Sequence, residues 1–478
     1  MYFSVSFISS LVENSYKNIA LELSSHSDLD IIWDILSSSM KDTLLKNLSK
    51  NKEEKKKVIE LYDISPEIHS LFVFFPEEDG LLETRSEFFR GLPTDTLVIV
   101  QTERKLAYEA LVLSTYSYQK YLSKSKEKQY WFFVLEEEKN EFIEWSKLYE
   151  AIYWARDLIN TPPRDSNPEK IVEIIEKHNW KNFTPKVFDK KSLEKLWCEL
   201  LLAVWAGSDF PPAMLILEPK KKNEWDTYAF IGKGVTFDAG GIQIKPDTAM
   251  LDMKCDMSGA AGVIGALMYL DSFENLPVNV IGAIGLTENM TGGKAFKPLD
   301  IYRAYNGTTV EIHHTDAEWR LVLADVMSYV EDVYKPKHII TMATLTGACV
   351  YALGHDIAGI MWDDETVISS LLSTSSPYEK VWRLPLNEKL KKSLKADIAD
   401  LKNVARSEKA GSSIGGAFLS YFQWKAKLTH IDIAGPAYRE TTWGYMPKGG
   451  TGWGVKILSE FILSLSSESK KSWKKSEK

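Results

Sequence analysis

The chain has 478 residues, of which 44% are hydrophobic and 26% are charged, a composition that excludes a largely disordered protein. Its length predicts two or three domains, since one hydrophobic core rarely grows so large. The net charge of −8 argues against nucleic acid as a partner, and no apolar run approaches the roughly 18 residues that a membrane span requires.

Residues 1–148 are predicted to form an N-terminal α/β domain with a role in assembly. Short apolar runs such as TLVIV and WFFVL have the composition of strands. Charged stretches such as KNLSKNKEEKKKVIELY are predicted to be helices with a solvated face. No group of residues typical of catalysis occurs in this part of the sequence.

The pattern changes near Tyr149, where a second domain spanning residues 149–465 is predicted to begin. YEAIYWARDLIN predicts a helix that a Pro-Pro pair ends, and Asn167-Pro168 begins the next helix. Amphipathic segments then alternate with the apolar runs AMLILE, TYAFIG, VNVIGAIGL, HIITMATL and HIDIAG. This alternation predicts a mixed, mostly parallel sheet flanked by helices, with reactive groups at the carboxyl ends of its strands. Residues 466–478 are predicted to be a polar tail.

Three cysteines, Cys198, Cys255 and Cys349, form an odd set without paired spacing. They indicate a reducing compartment and no disulfide framework. The N-terminal MYFSVSFISSLVENSYK has neither a basic start nor a sustained apolar core, so no signal peptide is expected. These features predict a cytoplasmic protein.

Charged side chains occur at three predicted junctions between a strand and the following loop or helix. In FIGKGVTFDAGGIQIKP the strand is expected to end at Ile231, with Gly232 and Gly234 opening a tight loop. The other junctions are MKCDMSGAAG and HHTDAEWRLVLAD. The charged residues at the three junctions are Lys233, Asp238, Lys245, Asp256, Asp316, Glu318 and Arg320.

Each of these residues has an ordinary structural explanation when it is considered singly. Asp256 and Asp316 could be helix N-caps, Glu318 could interact with a helix dipole, and the two lysines could be exposed. The glycines are not a nucleotide signature, because Phe237 stands where the dinucleotide pattern needs glycine. TGGKA likewise lacks the leading glycine and the Ser/Thr of a phosphate loop.

Considered together, these residues predict a metal centre. Four carboxylates at one apolar location cannot all stay ionised without cations to neutralise them. Two divalent ions would do so, and a carboxylate-rich site suits Mg, Mn or Zn rather than copper or an iron–sulfur cluster. Two such ions about 3.5–4 Å apart activate a bridging water for hydrolysis.

Five ordered segments resemble the leucyl aminopeptidase family of dinuclear metallopeptidases: VTFDAGGIQIKP, MKCDMSGAAG, TDAEWRLVLAD, ATLTGA and HIDIAGPAY…GYMPKGGTGWGV. The resemblance covers about residues 150–460. The N-terminal third matches only in length and in its mixture of short apolar runs and charged stretches. It implies a metal-dependent aminopeptidase that releases N-terminal, apolar residues from short peptides. It also implies a homo-hexamer with two divalent metal ions (Mn²⁺ or Zn²⁺) per subunit and a bound bicarbonate.

The resemblance also implies a role for each matched position. One metal ion would be held by Lys233, Asp238, Asp256 and Glu318, and the second by Asp238, Asp316 and Glu318. Lys245 would stabilise the oxyanion formed at the peptide carbonyl, and Arg320 would hold bicarbonate, the general base. The remaining matched positions line the substrate or anion pocket and are Met253, His314, Thr344, Leu345 and Gly347.

The third segment departs from the family pattern Asn-Thr-Asp-Ala-Glu-Gly-Arg-Leu at two positions. His314 replaces the asparagine and is interpreted as a neutral hydrogen-bonding substitute, with a retuned substrate contact or a stray ligand as alternatives. Trp319 replaces the glycine. A bulky residue there would cost about 1–3 kcal/mol if the backbone must be strained, or would block the anion site if space is needed.

Trp197 and Trp205 also stand at positions that the family usually fills with glycine, and the chain has 15 tryptophans against 27 glycines. We therefore hypothesise that the gene reads UGA as glycine and was translated with a table that reads it as tryptophan. UGG codons at positions 197, 205 and 319 would exclude this hypothesis. The alternative is a catalytically impaired structural or regulatory hexamer. A two-metal phosphoesterase is a weaker competitor, because the loops lack the histidines that such sites commonly use.

Overall fold

The computed structural model describes residues 3–8, 18–22, 58–62, 70–74, 81–100, 103–125, 128–221, 224–405 and 409–476, together with the isolated positions 42 and 46. The chain divides into two compact units. The first comprises residues 1–149 and 439–448, and the second comprises residues 150–438 and 449–478.

The first unit contains a six-stranded sheet in the order β1-β6-β5-β2-β4-β3. Its strands are β1 (Phe3–Ile8), β2 (Asn18–Glu22), β3 (Val58–Tyr62), β4 (Ser70–Phe74), β5 (Thr96–Val100) and β6 (Lys128–Phe133). Every neighbouring pair is parallel except β3 with β4. The helices are α1 (Leu81–Gly91), α2 (Arg104–Thr115) and the first part of α3 (Lys139–Asn160).

One helix prediction in this unit is wrong. The segment VIELY was expected to end a charged helix, but it forms β3 and pairs with β4. Its β-branched and aromatic side chains favour an extended backbone, and the neighbouring strand supplies the hydrogen bonds that decide the outcome. Residues 47–57 of the predicted helix lie outside the described residues.

The second unit contains an eight-stranded sheet in the order β15-β14-β17-β13-β9-β10-β8-β7. Its strands are β7 (Phe183–Phe188), β8 (Ala213–Pro219), β9 (Thr227–Asp238), β10 (Asn279–Asn289), β13 (His338–Ala343), β14 (Ile357–Trp362), β15 (Lys380–Arg383) and β17 (Lys427–Asp432). The centre, from β17 to β10, is parallel, and antiparallel pairs flank it. The prediction of a mixed α/β fold is confirmed.

Smaller strands and the helices complete this unit. The short strands are β11 (Ile301–Arg303), β12 (Thr309–Glu311), β16 (Leu401–Lys402), β18 (Tyr438–Arg439) and β19 (Gly449–Gly450). The helices are α4 (Pro168–Lys177), α5 (Lys190–Lys195), α6 (Glu199–Trp205), α7 (Asp247–Met250), α8 (Ser258–Leu270), α9 (Trp319–Tyr334), α10 (Gly347–Leu353), α11 (Glu365–Thr374), α12 (Glu388–Lys392), α13 (Gly411–Leu419) and α14 (Val455–Ser476). None of the described helices is long and apolar enough to cross a membrane.

Local sequence signals account for several of these elements. Asn167 caps α4 by accepting a hydrogen bond from the Lys170 N–H, and Pro168 occupies the first helical position, as predicted. The apolar face predicted for α9 is completely buried at Leu323, Val326, Met327 and Val330. Helix packing on the sheet thus follows the apolar periodicity of the sequence.

The strand β9 continues well past Ile231, where it was predicted to end. Gly232 and Gly234 therefore lie within the strand and do not open a loop. A Cβ atom on Gly232 would lie 2.6 Å from the carbonyl oxygen of Gly259, near the start of α8. The glycine is needed because the helix approaches the strand so closely.

The turn after β9 falls at Gly240 and Gly241, whose φ angles of 88° and 65° favour glycine. The N–H of Gly240 donates to Oδ1 of Asp238 at 2.9 Å. The turn thereby helps to orient the carboxylate that ends the strand.

Candidate metal centre

The acidic residues of the three segments converge in the second unit. Asp238 ends β9, Asp256 lies in a short 3-10 helix (Met253–Met257) before α8, and Glu318 immediately precedes α9. Carboxylate oxygens of Asp238, Asp316 and Glu318 lie within 4.8 Å of one another. The parallel centre of the sheet brings together residues that are distant in sequence.

Lys233 lies between two of these acids and is buried. Its Nζ is 2.6 Å from Oδ2 of Asp256 and 2.9 Å from Oε1 of Glu318. Burial alone would lower the pKa of Lys233, but the attraction of the nearby carboxylates outweighs burial and raises it. The ammonium therefore neutralises negative charge in this structure. A metal ion could use this nitrogen only after its proton has left.

Lys245 has the corresponding position beside the other acids. Its Nζ is 2.9 Å from Oδ2 of Asp238 and also contacts Oδ1 of Asp316. Burial opposes the charge, but Asp238, Glu318 and Asp316 together raise the pKa of Lys245. Its terminal ammonium lies at the edge of the acidic cluster, which comprises Asp238, Asp256, Asp316 and Glu318.

The two lysines do not fully compensate the four carboxylates. Burial raises the pKa of Asp256 well above its usual value. Burial, followed by repulsion from Asp238 and Glu318, raises the pKa of Asp316 to about 7. Oε2 of Glu318 is buried with neither a hydrogen bond nor a lysine contact among the described residues. This excess of buried negative charge and the unpaired oxygen fit a site for divalent cations.

The ordinary structural explanations do not account for these residues. The N-cap of α8 is Met257 and that of α9 is Glu318, and neither side chain accepts a capping hydrogen bond. Asp256 and Asp316 are therefore not helix caps. Both lysines are at most slightly exposed, with side-chain exposures of 2% for Lys233 and 14% for Lys245.

Arg320 is buried in the first turn of α9. Its Nη1 donates to the carbonyl oxygen of Asn403 at 2.8 Å, while its Nε has no partner among the described residues. Burial lowers the pKa of Arg320 to about 10, partly opposed by Glu318 and Asp432. A buried guanidinium with an unused donor is suited to hold a small anion.

The indole of Trp319 fills the space beside this guanidinium. It is 2% exposed, stacks on His430 with ring centroids 5.7 Å apart, and has the Arg320 guanidinium 4.6 Å from its ring centroid. A Cβ on Gly415 would lie 2.5 Å from the indole. Trp319 begins an α-helix and is not among the described residues with positive φ. Available space, not backbone strain, therefore distinguishes tryptophan from glycine at this position.

Backbone strain is found at two other tryptophans. Trp197 has a φ of 57° and is 64% exposed. Trp362, which the sequence analysis did not single out, has a φ of 113° at the end of β14. Trp205, by contrast, ends α6 and donates its Nε1–H to the carbonyl of Phe210. Positive φ favours glycine, so Trp197 and Trp362 occupy positions where glycine would relieve strain.

Two predicted pocket residues contact the acidic cluster directly. The Nδ1 of His314 accepts a hydrogen bond from the N–H of Asp316 at 3.1 Å, which fits a neutral hydrogen-bonding imidazole. The hydroxyl of Thr344 donates to Oδ1 of Asp256 at 2.7 Å, and its carbonyl accepts from Lys233. Both residues thus help to orient predicted metal ligands.

The other pocket residues lie on two neighbouring segments. Met253 begins the 3-10 helix that carries Asp256. Leu345 donates its N–H to Oδ1 of Asp432 at 3.3 Å, so this group is engaged by a side chain that the sequence analysis did not consider. Gly347 begins α10.

Asn289, at the carboxyl end of β10, also contacts this cluster and was not predicted from the sequence. Its Nδ2 donates to Oδ1 of Asp238 at 2.8 Å and to the carbonyl of Thr315 at 3.1 Å. The available signal was its place at the end of an apolar run, where parallel strands deliver functional side chains.

Known proteins are similar to this chain in sequence and in structure. The model of the cytosol aminopeptidase family, catalytic domain, matches residues 153–459. The chain is 40% identical over 369 residues to a "Probable cytosol aminopeptidase" of Sulfurihydrogenibium sp., covering 75% of this chain and 73% of that protein. It is 44% identical over 312 residues to the protein of the same name from Chlorobaculum tepidum, covering 64% of this chain and 61% of that protein.

A solved structure is similar over almost the whole length. The bottromycin maturation enzyme BotP in complex with Mn superposes with a TM-score of 0.81 at 26% identity, covering 94% of this chain and all of that one (100%). The resemblance inferred from the five sequence segments is therefore confirmed. The chain belongs to the cytosol aminopeptidase family and is a hydrolase of the aminopeptidase class.

Proposed function

We propose that this protein removes N-terminal, apolar residues from short peptides with the help of two divalent metal ions. The observation that supports this most directly is the cluster of Asp238, Asp316 and Glu318, which is buried except for the partly exposed Asp316 and whose negative charge exceeds what the neighbouring lysines neutralise. Such a cluster is neutralised either by protonation or by further cations, and bound cations would keep its carboxylates ionised.

Each of the two ions has its own set of proposed ligands in this chain. Lys233, Asp238, Asp256 and Glu318 would hold one ion, and Asp238, Asp316 and Glu318 the other. The oxygen-rich set is compatible with Mn²⁺ or Zn²⁺. When bound in these residues, such ions would supply an activated water of lowered pKa and would polarise the carbonyl of the scissile bond.

The chain's own side chains supply the remaining chemistry. The Lys245 ammonium would donate to the carbonyl oxygen of the peptide as negative charge develops there. Arg320 would hold bicarbonate through donors that the protein leaves unused, placing a general base near the acids. Met253 and Thr344 would border the first side chain of the substrate, which we propose to be apolar.

The wider biological setting rests on the family and on composition. We propose a cytoplasmic homo-hexamer, with residues 1–148 serving assembly. The net negative charge disfavours nucleic acid as a partner.

A second candidate is a catalytically impaired, regulatory or structural hexamer. The specific observation in its favour is the Trp319 indole, which packs on the arginine proposed to hold bicarbonate. Under the codon hypothesis this residue is glycine, and the anion position is open.

The test is hydrolysis of leucine p-nitroanilide with added Mn²⁺, with and without EDTA, by the protein with tryptophan and by W319G. Metal-dependent turnover by either protein supports the proposal. Absence of such turnover in both would refute it, and turnover by W319G alone would assign the impairment to the indole.

A further inference from the structure

Asn403 is a completely buried residue directly after β16. The strand β16 runs parallel to β12, with Lys402 opposite Glu311. The N–H of Asn403 continues this pairing by donating to the carbonyl of Glu311 at 3.1 Å. Asn403 is therefore held beside the chain that leads from β12 into the turn carrying Asp316.

The side-chain amide of Asn403 bonds to both donors and acceptors of that turn. Its Oδ1 accepts from the N–H of His313 at 2.7 Å and from that of His314 at 3.2 Å. Its Nδ2 donates to the carbonyls of His314 at 2.7 Å and Ala317 at 3.4 Å. Since only an amide side chain offers an acceptor and two donors in this arrangement, no other side chain of similar size could replace it.

The main-chain carbonyl of Asn403 contacts Arg320, the residue predicted to bind the anion. The carbonyl oxygen of Asn403 accepts the hydrogen bond from Nη1 of Arg320. This is the only hydrogen bond found for that guanidinium in the described part of the chain. One residue thus fixes both the turn that precedes Glu318 and the orientation of Arg320.

We propose that Asn403 is a positioning residue that holds Asp316 and Glu318 in place for metal binding and Arg320 in place for its anion. This inference rests on the proposed function, because it assigns Asn403 to the same centre. Groups that orient metal ligands typically change metal affinity or activity by about 10–100-fold when they are removed.

The test compares N403L with N306L. Leucine has a similar shape but cannot form the side-chain hydrogen bonds of Asn403 to the turn. Asn306 is a control of similar chemistry, since it accepts from the Thr308 N–H at 3.0 Å and donates to the Tyr421 carbonyl at 3.3 Å, and neither partner belongs to the acidic cluster. Mn²⁺ affinity is measured from the electron paramagnetic resonance signal of the free ion, and kcat and KM are determined separately.

We expect N403L to bind Mn²⁺ about 10–100-fold more weakly, because the turn that carries Asp316 loses its side-chain hydrogen bonds. The main-chain carbonyl of residue 403 can still accept from Arg320, so kcat at saturating metal should fall less than the affinity does. N306L should keep the affinity and kcat of the unchanged protein. If N403L folds and binds Mn²⁺ as tightly as the unchanged protein, the inference is wrong. If the unchanged protein neither binds Mn²⁺ nor hydrolyses the substrate, the proposed function fails as well.

Hydrogen exchange in the unchanged protein covers the case in which N403L does not fold. The amides of His313 and His314 donate to Asn403 and should exchange slowly in the Mn²⁺-loaded protein. The amide of Gly293, in an exposed turn, provides the reference. Exchange of the two histidine amides as fast as that of Gly293 would overturn the proposed restraint.

Discussion

Trp319→Gly removes an indole that is 2% exposed and lies on the guanidinium of Arg320. If tryptophan is native, the substitution opens a cavity and costs about 3–5 kcal/mol of folding free energy, the usual range for truncating a buried large aromatic side chain. If glycine is native, the space accommodates water and the anion, so the loss is smaller. We expect the smaller loss, because the indole occupies space beside a buried arginine whose Nε has no partner.

The same substitution should increase catalysis. With Arg320 free to hold bicarbonate, we expect kcat for leucine p-nitroanilide to rise by about 100-fold, the lower end of what general base catalysis contributes. The increase should require both Mn²⁺ and bicarbonate, because the proposed effect is on the anion site. The assay measures kcat over a bicarbonate series, alongside urea denaturation of the same two proteins.

W180G is the control for burial alone. Trp180 is 4% exposed and donates its Nε1–H to the Ile175 carbonyl at 2.9 Å. We expect W180G to lower the free energy of unfolding by about 3–5 kcal/mol. Its kcat should show no bicarbonate-dependent gain. If W319G loses as much unfolding free energy as W180G and shows no bicarbonate-dependent gain in kcat, the proposed effect of the indole on the anion site is wrong. A UGG codon at position 319 would independently exclude the codon hypothesis.

Three further predictions concern strain, charge and pH. W197G should stabilise the protein by about 1 kcal/mol in urea denaturation, because the left-handed backbone at φ 57° costs a non-glycine residue about 1–2 kcal/mol, partly offset by the greater freedom of glycine in the unfolded chain, and because the indole is largely exposed; a loss of stability would contradict this. K245M should lower kcat by about 100-fold or more, whereas K297M, which removes an exposed lysine paired with Asp300, should not; equal effects would exclude the oxyanion role. Burial raises the pKa of Glu379 from 4.5 to about 8, so its contribution to stability is complete below pH 4.5 and is lost as the pH rises through about 8. Thermal unfolding of E379Q should therefore lack this part of the pH dependence, and an unchanged pH profile would show that Glu379 does not titrate as described.

Much of the fold and of the candidate site could be predicted from local patterns. The Asn167-Pro168 helix start, the buried face of α9 and the alternation of apolar runs with helices all depend on residues close together in sequence. The types and order of the charged residues in the three segments predict a metal centre, since cations can keep several neighbouring buried carboxylates ionised. The family was likewise predictable from short segments and is confirmed.

Tertiary structure decided the features that depend on partners distant in sequence. VIELY became a strand because it pairs with β4, and β9 continued through Gly232 because it pairs there with β10 and β13. Asn403 reaches a turn 90 positions earlier only through the pairing of β16 with β12. Periodicity and propensity act over a few residues, whereas hydrogen bonds and close packing between separate strands depend on the order in which the sheet assembles them.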